Sequence, residues 1–215
     1  MSETIPLTGQ IDLLPVVRFE PWDYVDNVDP YWKNLSTEFI PLEEDKRTLF
    51  WERCMATAGI TGLEPASIID WDVLVDDLTS PVVLRKLIAV TSSESDDFPE
   101  LADKEVFHFI MGGYILSYQG KHIIRTQCCS DLAVIEDWKG IAAYRSGEWG
   151  WHWIGHPGLP TRFDGDVLIF SSPSDNIPPP PSSSFYAVSP QLLEAAICEA
   201  ETKLEAFHRR LIRLR

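Results

Sequence analysis

Two adjacent cysteines, Cys128 and Cys129, are the residues of this sequence whose types and spacing most directly suggest chemistry. They lie just before a helix-like run, in the stretch RTQCCSDLAVIEDW of residues 125–138. The amino terminus of a helix lowers the pKa of a nearby thiol, so Cys129 could act as a nucleophile if a histidine served as its base. The candidate bases are His122, His152 and His156.

The same pair could instead hold a metal ion or have a structural role. Zinc accepts thiolate and imidazole ligands, and His108, His122 and Asp131 are near the pair in sequence. Successive side chains of an extended segment point to opposite faces, so the two thiols cannot easily converge unless the chain bends between them. We therefore predict two reduced thiols, at least one of them buried, and no catalytic residue, metal or cofactor. The alternative is an enzyme or metalloprotein that uses the Cys128/Cys129 region with nearby histidines.

Tryptophans at every second position mark a second candidate site, one for ligand binding. In EWGWHWIG, residues 148–155, Trp149, Trp151 and Trp153 would share one face of a strand. Such a face could grip a ligand, but tryptophan is highly buried on average. We therefore predict that these side chains pack in the core and that Trp151 is largely buried.

The elements that must position these residues are segregated along the chain. Residues 43–90 carry helix patterns in LEEDKRTLFWERCMATAGI, EPASIIDWDVLVDDL and SPVVLRKLIAV. In the first of these, Leu49, Phe50 and Cys54 are predicted to share a buried face. Residues 106–170 contain β-branched and aromatic runs with Gly-containing turns, which predict hairpins.

The last part of the chain predicts a linker and then a helix. Residues 172–184 are rich in proline and serine, and four consecutive prolines offer no backbone donors. After Pro190, apolar residues recur at steps of three and four, as in an amphipathic helix. The sequence thus predicts one α+β domain over residues 1–215, with a mainly antiparallel sheet, helices packed on it and a long C-terminal amphipathic helix.

Charge limits the partners of the protein. Its 33 acidic and 18 basic side chains give a formal net charge of -15, which argues against nucleic-acid binding, because that needs lysine and arginine. No stretch of 18 apolar residues and no secretory pattern occurs, so we expect a cytoplasmic protein that does not bind a membrane. The charge favours a basic protein partner, such as a toxin domain.

Acidic runs supply the predicted binding residues. They stand in two stretches that we expect to be exposed, where charge density would steer a basic partner toward the surface. The predicted binding residues are Asp72, Asp76, Asp77, Glu94, Asp96, Asp97 and Glu100.

Residues 110–172 resemble a known group of proteins. The blocks GGYILSYQGKHIIRTQCCSDLAVIEDW and WIGHPGLPTRFDGDVLIF look like those of small bacterial immunity proteins to polymorphic toxins. One such family is related to yeast cell-wall regulators of the Smi1/Knr4 type. The resemblance implies an α+β fold and a function in which the protein binds and blocks a toxin.

Overall fold

The computed structural model describes residues 4–25, 44–126 and 128–214, and it confirms the α+β fold. Within these ranges the strands are β1 (Thr4–Leu7), β2 (Ile11–Arg18), β3 (Asp72–Leu74), β4 (Gly112–Tyr118), β5 (Lys121–Arg125), β6 (Gly150–His152), β7 (Leu159–Asp164), β8 (Val167–Ser171) and β9 (Phe185–Val188). The helices are α1 (Glu44–Thr57), α2 (Pro81–Ser93), α3 (Ile135–Ala142) and α4 (Pro190–Ile212).

The chain divides into two compact units, each built from separate stretches of sequence. Unit 1 comprises Met1–Val16 and Met111–Ala206, and unit 2 comprises Val17–Ile110 and Phe207–Arg215. Strand β2 and helix α4 therefore each contribute residues to both units. The single domain expected from the sequence stays a prediction.

Unit 1 contains a five-stranded sheet of order β1-β9-β8-β7-β6. Its strands pair antiparallel except for β1, which runs parallel to β9. The proline-rich residues 172–184 connect β8 to β9, and the N–H of Ser172 donates to the carbonyl of Ser184 at 2.8 Å. This stretch is therefore a connection between neighbouring strands rather than a direct link to the last helix.

The C-terminal helix and the hairpins β4–β5 and β7–β8 form where the sequence predicts them, whereas residues 106–108, at the start of the predicted β region, lie in a 3-10 helix. Strands β4 and β5 pair antiparallel across a turn at Gln119 and Gly120, both with positive φ. Helix α4 buries Leu193, Ile197 and Leu204, because residues at steps of three and four share one helical face. In a second sheet of unit 1, β2 lies beside β4, and β5 lies on the other side of β4.

Unit 2 confirms two of the three helices predicted for residues 43–90. In α1, Phe50 and Cys54 are buried as expected, but Leu49 is 42 % exposed, so it does not share their face. Helix α2 begins at Pro81, directly after Ser80. The predicted helix in EPASIIDWDVLVDDL is wrong: residues 67–77 form a bridge from Ser67 to Asp72, strand β3 and a 3-10 turn.

Candidate functional site

A groove in unit 2 runs between helix α1 and the segment that follows it. The helix ends at Thr57, and Gly59 with φ +70° turns the chain so that residues 60–65 run back beside the helix. The indole N–H of Trp51 donates to the carbonyl of Leu63 at 3.0 Å and fixes this segment. The result is a cavity of about 550 Å³.

The groove has an apolar floor and an acidic rim. Met55, Ile60 and Leu63 line the floor. Glu44, Glu52 and Glu64 line the rim and are exposed. Among the described residues that line this cavity, none is a lysine or an arginine.

Helical spacing explains why the rim of the groove is acidic. Glu44 and Glu52 are eight residues apart and therefore lie on one face of α1, while Lys46 and Arg53 fall on the other side of the helix. Sequence reasoning missed these glutamates. The four-residue steps from Glu44 through Thr48 to Glu52 were a usable signal, whereas the position of Glu64 depends on the turn at Gly59.

Six of the seven predicted binding residues are exposed in unit 2. Asp76 and Asp77 lie in the 3-10 turn after β3, and the other four lie at or just beyond the end of α2. Those four are Glu94, Asp96, Asp97 and Glu100, which we call the 94–100 acidic segment. Their role in binding stays a prediction.

Asp72 is the exception, and its placement in an exposed run is wrong. Its side chain is 1 % exposed and receives two hydrogen bonds from Arg18, from Nε at 3.0 Å and from Nη2 at 3.4 Å. Because β3 forms where the sequence suggested an amphipathic helix, Asp72 faces the interior. It therefore serves the packing of unit 2 instead of its surface.

Two further carboxyl groups, those of Glu20 and Asp23, lie close to Glu94 of the 94–100 acidic segment. Partial burial and then repulsion from Glu20 and Glu94 raise the pKa of Asp23 to about 6. Partial burial raises the pKa of Glu20 as well, against the opposing effect of Arg18. The carboxyl groups of Glu20, Asp23 and Glu94 thus lie close enough to repel one another.

The cysteine pair lies in unit 1, at a bend between two backbone partners. Cys128 pairs with His156, whose N–H donates to the Cys128 carbonyl at 3.0 Å, whereas Asp131 pairs with Met111. The chain must turn between these bridges, and Cys129 does so with φ +55°. The alternation of an extended strand is thereby broken, and the two sulfurs lie 3.3 Å apart.

Neither thiol is buried, so the prediction that one of them faces the core is wrong. Cys128 is half-buried, and its thiol donates to the carbonyl of His156 at 3.4 Å. Cys129 is exposed. By contrast, Cys54 is in the core as predicted, and burial raises its thiol pKa to about 11.

The candidate bases are distributed over unit 1. Nε2 of His156 lies 3.3 Å from the Asp175 carboxylate. His152 packs its ring against Tyr144, and burial lowers its pKa. Partial burial and the charge of Arg125 lower the pKa of His122. Within the described ranges, no three metal-binding side chains gather where they could hold an ion.

The tryptophan face is not in the core, contrary to prediction. Trp151 is 41 % and Trp153 is 37 % exposed, and Trp149 is half-buried beneath the guanidinium of Arg162. Strand β6 has only three residues and, in the strand order of the described residues, lies at the edge of the sheet beside β7. The Trp151 ring rests on Gly158, where a Cβ would overlap it.

In the part of the chain that the structure describes, no helix is both long and apolar enough to cross a bilayer.

Comparisons with known proteins assign no family to this chain. No family model, curated protein or solved structure matches this sequence.

Proposed function

We propose that this chain is a binding protein that neutralises a basic partner, such as a toxin domain, by direct contact. The observation that supports this proposal is the acidic groove of unit 2, with its carboxylate rim and apolar floor. The net charge of -15 and the exposed 94–100 acidic segment support it further. The resemblance of residues 110–172 to immunity proteins suggests the toxin as the partner.

The groove has the properties that a basic protein segment would need. Its cavity of about 550 Å³ accommodates one or two large side chains. Apolar groups of the partner would bury area against Met55, Ile60 and Leu63, at about 25 cal/mol for each Å² removed from water. Lysine or arginine residues beside them would pair with the rim glutamates, which would set the orientation and the rate of binding.

Reversing the charge of the rim is expected to weaken binding. In the variant Glu44→Lys/Glu52→Lys/Glu64→Lys, like charges would face the partner across the groove, so we expect the dissociation constant to rise at least about 10-fold. The partner is first captured from the native host, purified, and titrated by calorimetry. Inhibition of its toxic activity by one equivalent of this chain is measured in parallel.

A matched control separates the groove from net charge. The variant Asp166→Lys/Glu194→Lys/Glu199→Lys changes the same number of exposed carboxylates on unit 1. We expect it to bind nearly as well as the unmodified chain. Equal losses of affinity in both variants would contradict the assignment of the binding site to the groove. A captured partner whose toxic activity is unaffected would contradict the proposal that this chain neutralises it.

The 94–100 acidic segment is expected to act on the rate of association. Converting Glu94, Asp96, Asp97 and Glu100 to lysine should slow association about 10-fold or more at low salt, because exposed charges steer encounter. The Debye length falls from about 30 Å at 0.01 M to about 3 Å at 1 M salt, so the difference should nearly vanish at high salt. Stopped-flow measurements at both salt concentrations check this, and an unchanged rate at low salt would remove the segment from the proposal.

A further inference from the structure

We propose that Cys128 and Cys129 form a preorganised dithiol site that chelates trivalent arsenic or an equally thiophilic centre through both sulfurs. The two thiols meet at the bend in unit 1, and Cys129 is exposed there. This proposal is independent of the acidic groove, which lies in unit 2.

The distance between the sulfurs favours a chelate over a disulfide. They are 3.3 Å apart. A centre with bonds of about 2.3 Å to each sulfur holds them roughly 3.3 to 3.8 Å apart at bond angles of about 90 to 110°. A disulfide needs about 2.05 Å, and its Cα atoms are usually about 4.4 Å or more apart, whereas neighbouring residues are only about 3.8 Å apart. The pair is therefore already spaced for a bridging atom with pyramidal or tetrahedral geometry.

The backbone holds this spacing. Cys129 has φ +55°, a left-handed conformation that costs a non-glycine residue about 1 to 2 kcal/mol. Residues in such strained conformations are found often at functional sites. The bridges of Cys128 to His156 and of Asp131 to Met111 fix the chain on both sides of it. The side chain of Asp131 also accepts a hydrogen bond from the N–H of Ala133 at 2.8 Å. A ligand would thus meet two sulfurs that need little reorganisation.

Binding of an arsenical by the two thiols needs no oxidant, because arsenic and sulfur keep their oxidation states. An arsenical R–As=O reacts with the two thiols, two As–S bonds form, and both thiol protons leave with the oxygen as one water. A donor set of two sulfurs is sufficient, so no third protein ligand is needed. Cys198 is an isolated exposed thiol on α4, and Cys54 is buried, so neither offers a second chelate.

Phenylarsine oxide added to the reduced full-length protein tests the proposal. Intact-mass spectrometry should show one arsenical bound, and maleimide labelling should show two thiols protected. Cys128→Ser and Cys129→Ser should each weaken binding about 100-fold or more, because one thiol loses the chelate advantage, whereas Cys198→Ser should bind normally. Neither serine variant removes a buried side chain, so both are expected to fold.

A comparison with the unfolded chain tests preorganisation. The folded protein should bind the arsenical at least about 10-fold more tightly than the same protein in urea, since fixed geometry reduces the cost of ordering the ligand groups. Equal affinity in both states would overturn the proposal. So would full binding by either single cysteine variant, or protection of Cys198.

Discussion

Replacement of Asp72 by asparagine is expected to lower the free energy of unfolding by about 3 to 5 kcal/mol, the cost of removing one charge of a buried ion pair. The carboxylate of Asp72 is 1 % exposed, and the side chain of Arg18 is 9 % exposed. Both hydrogen bonds of Arg18 to the carboxylate are charge-assisted, and asparagine cannot supply the negative charge. Guanidinium denaturation followed by tryptophan fluorescence measures the loss.

Asp76→Asn is the matched control for this variant. Asp76 is four residues further along the same stretch but is exposed, and its charge acts on Arg210 at the surface, so its replacement should change stability by no more than about 1 kcal/mol. The double variant Arg18→Met/Asp72→Leu should recover much of the loss, because it removes both charges together. If Asp72→Asn and Asp76→Asn were equally mild, the ion pair would have no structural role.

Gly155→Ala is expected to destabilise unit 1 by roughly 3 to 5 kcal/mol, from backbone strain and overpacking together. Gly155 has φ +111°, and a Cβ there would lie 2.7 Å from the carbonyl oxygen of Cys128 and 2.7 Å from Cγ2 of Thr126. The carbonyl cannot move aside cheaply, because it accepts the hydrogen bond from the N–H of His156. Thermal unfolding measures the effect.

Gly165→Ala is the comparison variant for Gly155→Ala. Gly165 has φ +67°, but a Cβ there would meet no atom within 4 Å, so the expected cost is only about 1 to 2 kcal/mol. The difference between the two variants reports the overlap at Gly155 together with the larger backbone strain of its φ of +111°. Because the added Cβ would push on the Cys128 carbonyl, which holds the cysteine bend through its hydrogen bond with the N–H of His156, Gly155→Ala should also weaken arsenical binding. Losses of the same size at both glycines would show that the contact is unimportant.

Elements with strong local patterns were predictable from the sequence. The buried residues of α4 follow the helical period along the helix. The Gly-containing turn at Gln119–Gly120 predicts the β4–β5 hairpin. The same reasoning failed at residues 67–77, where Trp71 has φ +52° and Asp72 pairs with an arginine 54 residues away. A period read over a few residues carries no information about such a distant partner.

Exposure at the candidate sites depended on tertiary structure for the same reason. Alternation in EWGWHWIG correctly indicates a strand, but it does not show whether other parts of the fold pack against the aromatic face of that strand. The meeting of the two cysteines likewise depends on bridges to Met111 and His156, which are distant in sequence from each other. The acidic groove was predictable only in part. The spacing of Glu44 and Glu52 along α1 can be read from the sequence, whereas the position of Glu64 depends on the turn at Gly59.

The parallel pairing of β1 with β9 has a consequence for synthesis of the chain. Thr4 pairs with Phe185, so during synthesis β1 waits for about 180 further residues before its partner exists. At about 5 to 20 residues per second, this takes roughly 10 to 35 s on a ribosome. Throughout that interval the backbone donors and acceptors that Thr4–Leu7 will use to pair with β9 have no partner strand, so a nascent chain arrested before Phe185 should remain sensitive to protease at Thr4–Leu7.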